Sequence, residues 1–188
     1  MKGFFLIFVF LFSANAFAGW DEANAAYRVG DYKTALREYK ILAEQGDAKA
    51  QFGLGAMYLD GKGIIQDYKS AFPWITKAAE QGHSRAQLFL GIMYDDGIGT
   101  DQDNKAAFHW FTKSGEQGNA EAQFFLGIME YDRLDGTRAH MWWNIAASQG
   151  NAEAQDLRDK IENRLPPSQI ERAQDLAREC VAKEYKNC

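Results

Sequence analysis

The chain has 188 residues, 46% hydrophobic and 25% charged, with a formal net charge of −5. No basic run or patch is visible within that acidic balance, which argues against nucleic acid or anionic lipid as a partner. Only two cysteines exist, Cys180 and Cys188, both at the C-terminus.

The first segment opens on Met1-Lys2, continues as an apolar run from Gly3 to Phe12, and ends on Ala16-Phe17-Ala18 before Gly19. This layout predicts a cleaved secretory signal, cut after Ala18. The run is short for a bilayer span, which takes roughly 20 apolar residues, so a retained anchor is the competing reading. No cysteine stands at the cut, which speaks against a lipoprotein. Cleavage would leave Gly19–Cys188, 170 residues with 20 basic and 26 acidic side chains and a net charge of −6. That length suits one domain with a sizeable core. The expected location is the periplasm or the extracellular medium.

A phrase then recurs. Glu44-Gln45-Gly46, Glu80-Gln81-Gly82 and Glu116-Gln117-Gly118 lie 36 residues apart, and Ser148-Gln149-Gly150 follows after 32. Each precedes the same small-residue pattern, as in Ala48-Lys49-Ala50-Gln51 and Ala120-Glu121-Ala122-Gln123. Self-similarity at such a period marks stacked supersecondary units.

The first unit is abbreviated: a short helix over Ala23–Val29, a turn at Gly30-Asp31, and a helix over Tyr32–Gln45. In the second, Asp47–Leu59 carries Ala50, Leu54, Met57 and Tyr58 on one helical face. Asp60-Gly61-Lys62-Gly63 stops it, and Asp67 caps the next helix. Pro73 falls inside that helix and predicts a kink or a late start. The third unit repeats the plan, with Ser84–Tyr94, the loop Asp96-Gly97-Ile98-Gly99, and Asp103–Glu116. The fourth loses four residues between its helices, and its second helix runs from about Thr137 to Ser148. The last two helices are expected over Ala152–Arg164 and, with Ser168 as cap and Glu171 completing a capping box, to about Lys183. The domain reading is therefore a hairpin at 19–46, repeats at 47–82, 83–118 and 119–150, and capping helices at 151–188. The class is all-α.

Small residues recur in columns. Ala35, Ala71, Ala107 and Ala139 form one, and Gly55, Gly91 and Gly127 another. Glycine inside a helix costs about 1 kcal/mol relative to Ala, so the second column predicts close helix packing. Trp74, Trp110 and Trp142, beside Ile75, Phe111 and Trp143, read as inter-repeat core.

Chemistry-bearing patterns are weak. Gly61/Gly63 and Gly97/Gly99 lack the strand context and the Lys-Ser/Thr of a phosphate loop. His83, His109 and His140 have no ligand spacing. Ser70, Ser84, Ser114 and Ser148 lie in repeat columns without a nucleophile elbow. The loop aspartates do not follow EF-hand spacing. No catalytic residue, metal or cofactor is expected. In an exported chain Cys180 and Cys188 most simply form a disulfide. Two free thiols or a metal pair are the alternatives, the latter opposed by the lack of a third Cys or a nearby His.

The second unit, with Leu54-Gly55, Met57-Tyr58, Gly61/Gly63, Gln66-Asp67, Ala71, Trp74 and Ala78-Ala79-Glu80-Gln81-Gly82, resembles the Sel1-like repeat family, a relative of the tetratricopeptide repeat. The third unit matches nearly as well. The fourth departs by its deletion and by Glu130, where the family has Tyr. The segment Ala139–Ala147 and the terminal helices resemble the closing unit of bacterial members. The first unit is more like a tetratricopeptide repeat, through Gly30-Asp31-Tyr32 and Ala35-Leu36. The resemblance implies a right-handed α-solenoid that binds other proteins on a concave face lined by the first helix of each hairpin. Exported members act as adaptors in the cell envelope. Cysteine-rich relatives associated with β-lactams carry a disulfide in every repeat, which this chain lacks.

On that architecture the concave candidates are Phe89 and Phe125, which share a column with Gly53, then Ile92 and Ile128, with Gln51, Gln87, Gln123 and Arg85 as polar companions. An apolar strip edged by Gln and charge suits peptide or protein capture. The competing reading makes Phe89 and Phe125 plain core. The expected function is a non-catalytic, monomeric scaffold in the envelope, binding a protein or peptide and not inserted in the membrane. A regulatory partner of an envelope sensor or assembly complex is one rival. A cell-wall or β-lactam hydrolase is the other, which a deep polar pocket of convergent titratable groups would favour.

Overall fold

The computed structural model describes residues 19–188; the signal-like segment 1–18 lies outside them. The described residues form ten α-helices and no strand. Helix α1 covers 19–28. It is followed by α2 (Tyr32–Glu44), α3 (Ala48–Asp60), α4 (Tyr68–Glu80), α5 (Ser84–Asp96), α6 (Asn104–Gly115), α7 (Ala120–Asp132), α8 (Gly136–Ser148), α9 (Ala152–Glu162) and α10 (Pro167–Ala182). Two compact units result. One runs to Ala86 and includes Ile98–Thr100; the other holds Gln87–Gly97 and Asp101–Cys188.

Capping sets the helix starts. Asp31, Asp47, Asp67, Asp103, Asn119, Asp135 and Asn151 each accept a first-turn backbone N–H, satisfying donors that have no partner within the helix. His83 does the same for α5, its Nδ1 accepting from Ala86 N at 3.1 Å. Two local expectations change. Helix α4 starts at Tyr68 and runs unbroken through Pro73. Proline there removes only the bond to the carbonyl of Lys69, and both residues are exposed, so water can take that carbonyl. Helix α10 starts at Pro167 after Pro166, with no side-chain cap, so Ser168 lies within its first turn. The fixed φ of proline at the first helical position supplies the start.

In the first unit, Ala23, Ala35, Leu42, Leu54 and Met57 are buried together, roofed by Trp20 and Tyr27. The ring of Tyr39 lies 5.5 Å from that of Trp20 and would meet a Cβ at Gly53 at 3.1 Å. In the second unit the core joins Leu88, Phe111, Leu126, Met141 and Trp142 to Ala173 and Ala177 of α10.

The glycine column is where helices touch most closely. A Cβ at Gly55 would come to 2.6 Å from Ile75 Cδ1, and one at Gly91 to 2.6 Å from Phe111 Cδ1. At Gly127 the ring of Trp143 fills the same place. The tryptophan column is less buried than its neighbour: Ile75, Phe111 and Trp143 are enclosed, whereas Trp74 and Trp110 are half-buried. Lys77 and Lys113 sit over those two rings, 4.5 and 5.9 Å from the centroids.

The repeated glutamines explain the recurring phrase. Gln81 Nε2 donates to Gln51 Oε1 at 2.7 Å, Gln117 to Gln87 at 2.6 Å, and Gln149 to Gln123 at 2.5 Å. Gln51 and Gln123 in turn donate to the carbonyls of Ala43 and Gly115, at 3.2 and 3.0 Å. In these three hairpins the final turn is thereby tied to the first helix of the same hairpin, and in the second and fourth that helix is tied to the one before it. Gln51, Gln87 and Gln123 are buried, so breaking one of these bonds leaves a polar group away from water, and that penalty holds the register.

Cys180 and Cys188 are joined in a disulfide. It holds the tail so that Lys186 Nζ donates to Glu116 O at 2.8 Å, and the Tyr185 ring covers Gly118.

Candidate functional site

The sequence-derived candidates separate into three groups. Gln51, Gln87 and Gln123 are at most 5% exposed and engaged in the turns just described, so they do not edge an open surface. Arg85 is exposed in the first unit, its guanidinium 5.4 Å from the centroid of Phe52. Phe89, Ile92 and Phe125 are half-buried in the second unit, packed on its core but not enclosed by it. The Phe125 ring stacks on that of Phe111 at 4.9 Å. Ile128, also half-buried, lies one turn further along α7.

Ile128 lines two hollows. The first holds about 220 Å³ and is bounded by Tyr131, Trp143, Leu157 and Arg164. The second holds about 530 Å³ and is bounded by the start of α6 (Asn104, Lys105, Phe108) and the end of α7 (Met129, Asp132, Arg133). Asp95 also reaches the second, and burial, then the neighbouring charges of Asp96 and Asp132, push its carboxyl up.

Sequence reasoning did not single out this second region as a site. Its cause is the four-residue deletion. In the second and third hairpins a longer loop closes on the helix before it: Asp67 N donates to Tyr58 O at 3.0 Å and Asp103 N to Tyr94 O at 2.8 Å. Gln66 and Gln102 donate to the carbonyls of Leu59 and Asp95, both at 2.6 Å. In the fourth hairpin the turn is only Arg133-Leu134-Asp135, closed by Asp135 N to Glu130 O at 2.9 Å. Leu134 takes a left-handed backbone, φ 65°, where Gly61 and Gly97 stand in the longer loops, and its side chain is 92% exposed. A bulky residue in that conformation carries strain, so its position asks for a reason outside the fold.

Glu130, buried beside this turn, faces Arg133 at 3.9 Å and Arg138 at 3.7 Å. The Arg133 guanidinium also lies 5.2 Å from the centroid of Phe108. Two cations thus compensate the one enclosed carboxylate, as a buried charge requires.

The histidines do not converge. His83 caps α5, and burial, then the charges of Arg85 and Lys49, hold its imidazole below the usual range. His109 is exposed beside Trp110. His140 is buried, with Nε2 2.7 Å from Glu162 Oε1. Among the described residues no group of three or more His, Cys, Asp or Glu is placed to hold a metal. No described helix is long and apolar enough to cross a membrane.

Helical hairpins at a fixed period, joined by buried side chains that recur with that period, define an α-solenoid repeat protein. The Sel1 repeat family model matches residues 48–83, 84–119 and 120–151, and the chain belongs to that family. A Sel1 repeat protein from Oxalobacter formigenes is 32% identical, with a TM-score of 0.67 over 81% of this chain and 63% of that one. The protein c5321, a protective antigen present in uropathogenic Escherichia coli strains and displaying an SLR fold, is 28% identical, with a TM-score of 0.77 over 89% of this chain. The chain spans 63% and 40% of the lengths of these two relatives. The MamA protein, 20% identical at a TM-score of 0.52, shares the fold. No protein of curated function matches the chain. Sel1 repeats generally act as protein-interaction scaffolds.

Proposed function

We propose that this chain is a non-catalytic adaptor of the bacterial cell envelope, acting as a periplasmic or secreted monomer that holds a protein or peptide segment against the first helices of its repeats. The supporting observation is the strip of half-buried Phe89, Ile92, Phe125 and Ile128 in the second unit. These side chains sit where the repeat leaves a choice of residue, and they stay large and apolar. Partly covered aromatic and aliphatic groups of this kind serve as anchors at interfaces. The signal-like start and the bonded cysteine pair support an oxidising, exported setting.

The test is site-specific photo-crosslinking in the native envelope, with the probe at Phe89 or Phe125 and a control at exposed Lys113. The adaptor reading predicts one discrete protein adduct from the first two positions and none from the third. Equal, diffuse labelling from all three would overturn it.

A further inference from the structure

The second and third hairpins show what belongs in the region that the fourth leaves open. The loop of the second hairpin lays Gly63 on the first residue of α2, where a Cβ would come to 2.8 Å from Tyr32 O. The loop of the third lays Gly99 on the first residue of α4, against the carbonyl of Tyr68. Both glycines have positive φ, 74° and 71°. Each contact therefore demands a residue that has no Cβ and tolerates the left-handed region.

Tyr32, Tyr68 and Asn104 are spaced 36 apart, so Asn104 is the next seat in the series. The fourth hairpin lacks the loop that would reach it. In its place is the hollow of about 530 Å³ beside Asn104, Lys105 and Phe108. A second hollow of about 420 Å³ adjoins it through Phe108 and Arg133, and Leu134 stands exposed on the short turn between the helices.

Taking the reading of this chain as a protein-binding adaptor, we infer that the hollow at the start of α6 receives a glycine-containing loop of the partner protein, which completes the fourth hairpin as the chain's own Gly-x-Gly loops complete the second and third. The glycine seats on Asn104, and the apolar residue beside it lies over Phe108 and Met129. Recognition is then partly of backbone shape: a partner residue with a side chain at the seat collides with the helix, which makes discrimination against it steep.

The experiment uses the folded chain and a synthetic peptide of its own third loop, residues 95–103, followed by amide NMR. Saturable shifts at Asn104, Lys105 and Arg133 at millimolar peptide are expected. The Gly99→Val peptide should bind at least tenfold more weakly. A chain whose Arg133-Leu134 turn is replaced by residues 97–102 should show no shifts there, because its own loop occupies the seat. Absence of shifts with the native peptide, or equal binding of the valine peptide, overturns the inference even if the loop-grafted chain fails to fold. Crosslinking at Phe89 and Phe125 that persists in either case leaves the adaptor reading standing, so the two failures are distinguishable.

Discussion

The third and fourth hairpins share a helix plan and differ in one loop. In the third, seven residues separate the first helix from the second, residues 97–103, carrying two glycines and a backbone clasp from Asp103 to Tyr94. In the fourth, the turn is three residues and holds a leucine in a glycine conformation. The clasps, caps and glutamine bonds that recur hold the fold. The fourth hairpin, which abandons the loop but keeps its glutamine pair and its glycine contact, leaves exposed surface without giving up its core.

The contrast can be broken most severely at what the hairpins share. Gly91→Val would drive a branched side chain into the Phe111 ring, and the expected loss is about 3 kcal/mol, read as a fall in the denaturant midpoint. A variant as stable as the parent would show that the helices need not approach so closely. Gln123→Ala removes a fully buried amide that accepts from Gln149 and donates to Gly115 O. A destabilisation of about 2 kcal/mol is expected by the same measurement, because two polar groups lose their partner. The corresponding change at exposed Gln155, which no turn glutamine follows, should cost under about 0.5 kcal/mol.

At the feature that distinguishes the fourth hairpin, the sign should reverse. Leu134→Gly relieves the left-handed strain and should raise stability by up to about 1 kcal/mol, while weakening capture of any partner that contacts the turn. Lower stability would mean that Leu134 has packing worth more than its strain.

The smallest effect concerns the third hairpin's cap. His83 accepts through Nδ1 and so caps α5 only when that nitrogen is unprotonated. Its folded value lies below the usual imidazole value of about 6.5. The contribution is therefore present above about pH 6.5 and is lost as pH falls through the folded value. His83→Asn, matching Asn119 and Asn151, should make the melting temperature less sensitive to pH between 7.5 and 5. A curve parallel to the parent's would assign the sensitivity elsewhere.

Much of the repeat was legible because periodicity exposes it. The Asp67 and Asp103 caps, the close-packed glycines and the shortened fourth loop follow from spacing alone. The same logic misleads for the glutamines: a polar residue on the first helix reads as surface, whereas the fold brings Gln81 onto Gln51 across 30 residues. Pro73 misled because proline's cost depends on whether water can take the freed carbonyl. Ser168 misled because Pro167 supplied the helix start before it. The hollow beside Asn104 was written in the deletion, but reading it requires knowing that the longer loops sit on the helix of the preceding hairpin.

Amide hydrogen exchange on the native protein tests directly whether the longer loop covers the start of α4 while the start of α6 is left open. The first-turn amides of α4, Lys69 and Ser70, bond Asp67 at 3.0 and 3.1 Å; those of α6, Lys105 and Ala106, bond Asp103 at 2.9 and 3.0 Å. The caps are matched, and only α4 carries a loop across its start. After correction for intrinsic rates, the α4 pair should exchange at least about tenfold more slowly than the α6 pair, since covered amides open less often. Equal protection of the two pairs would contradict the claim that the shortened hairpin leaves the start of α6 open.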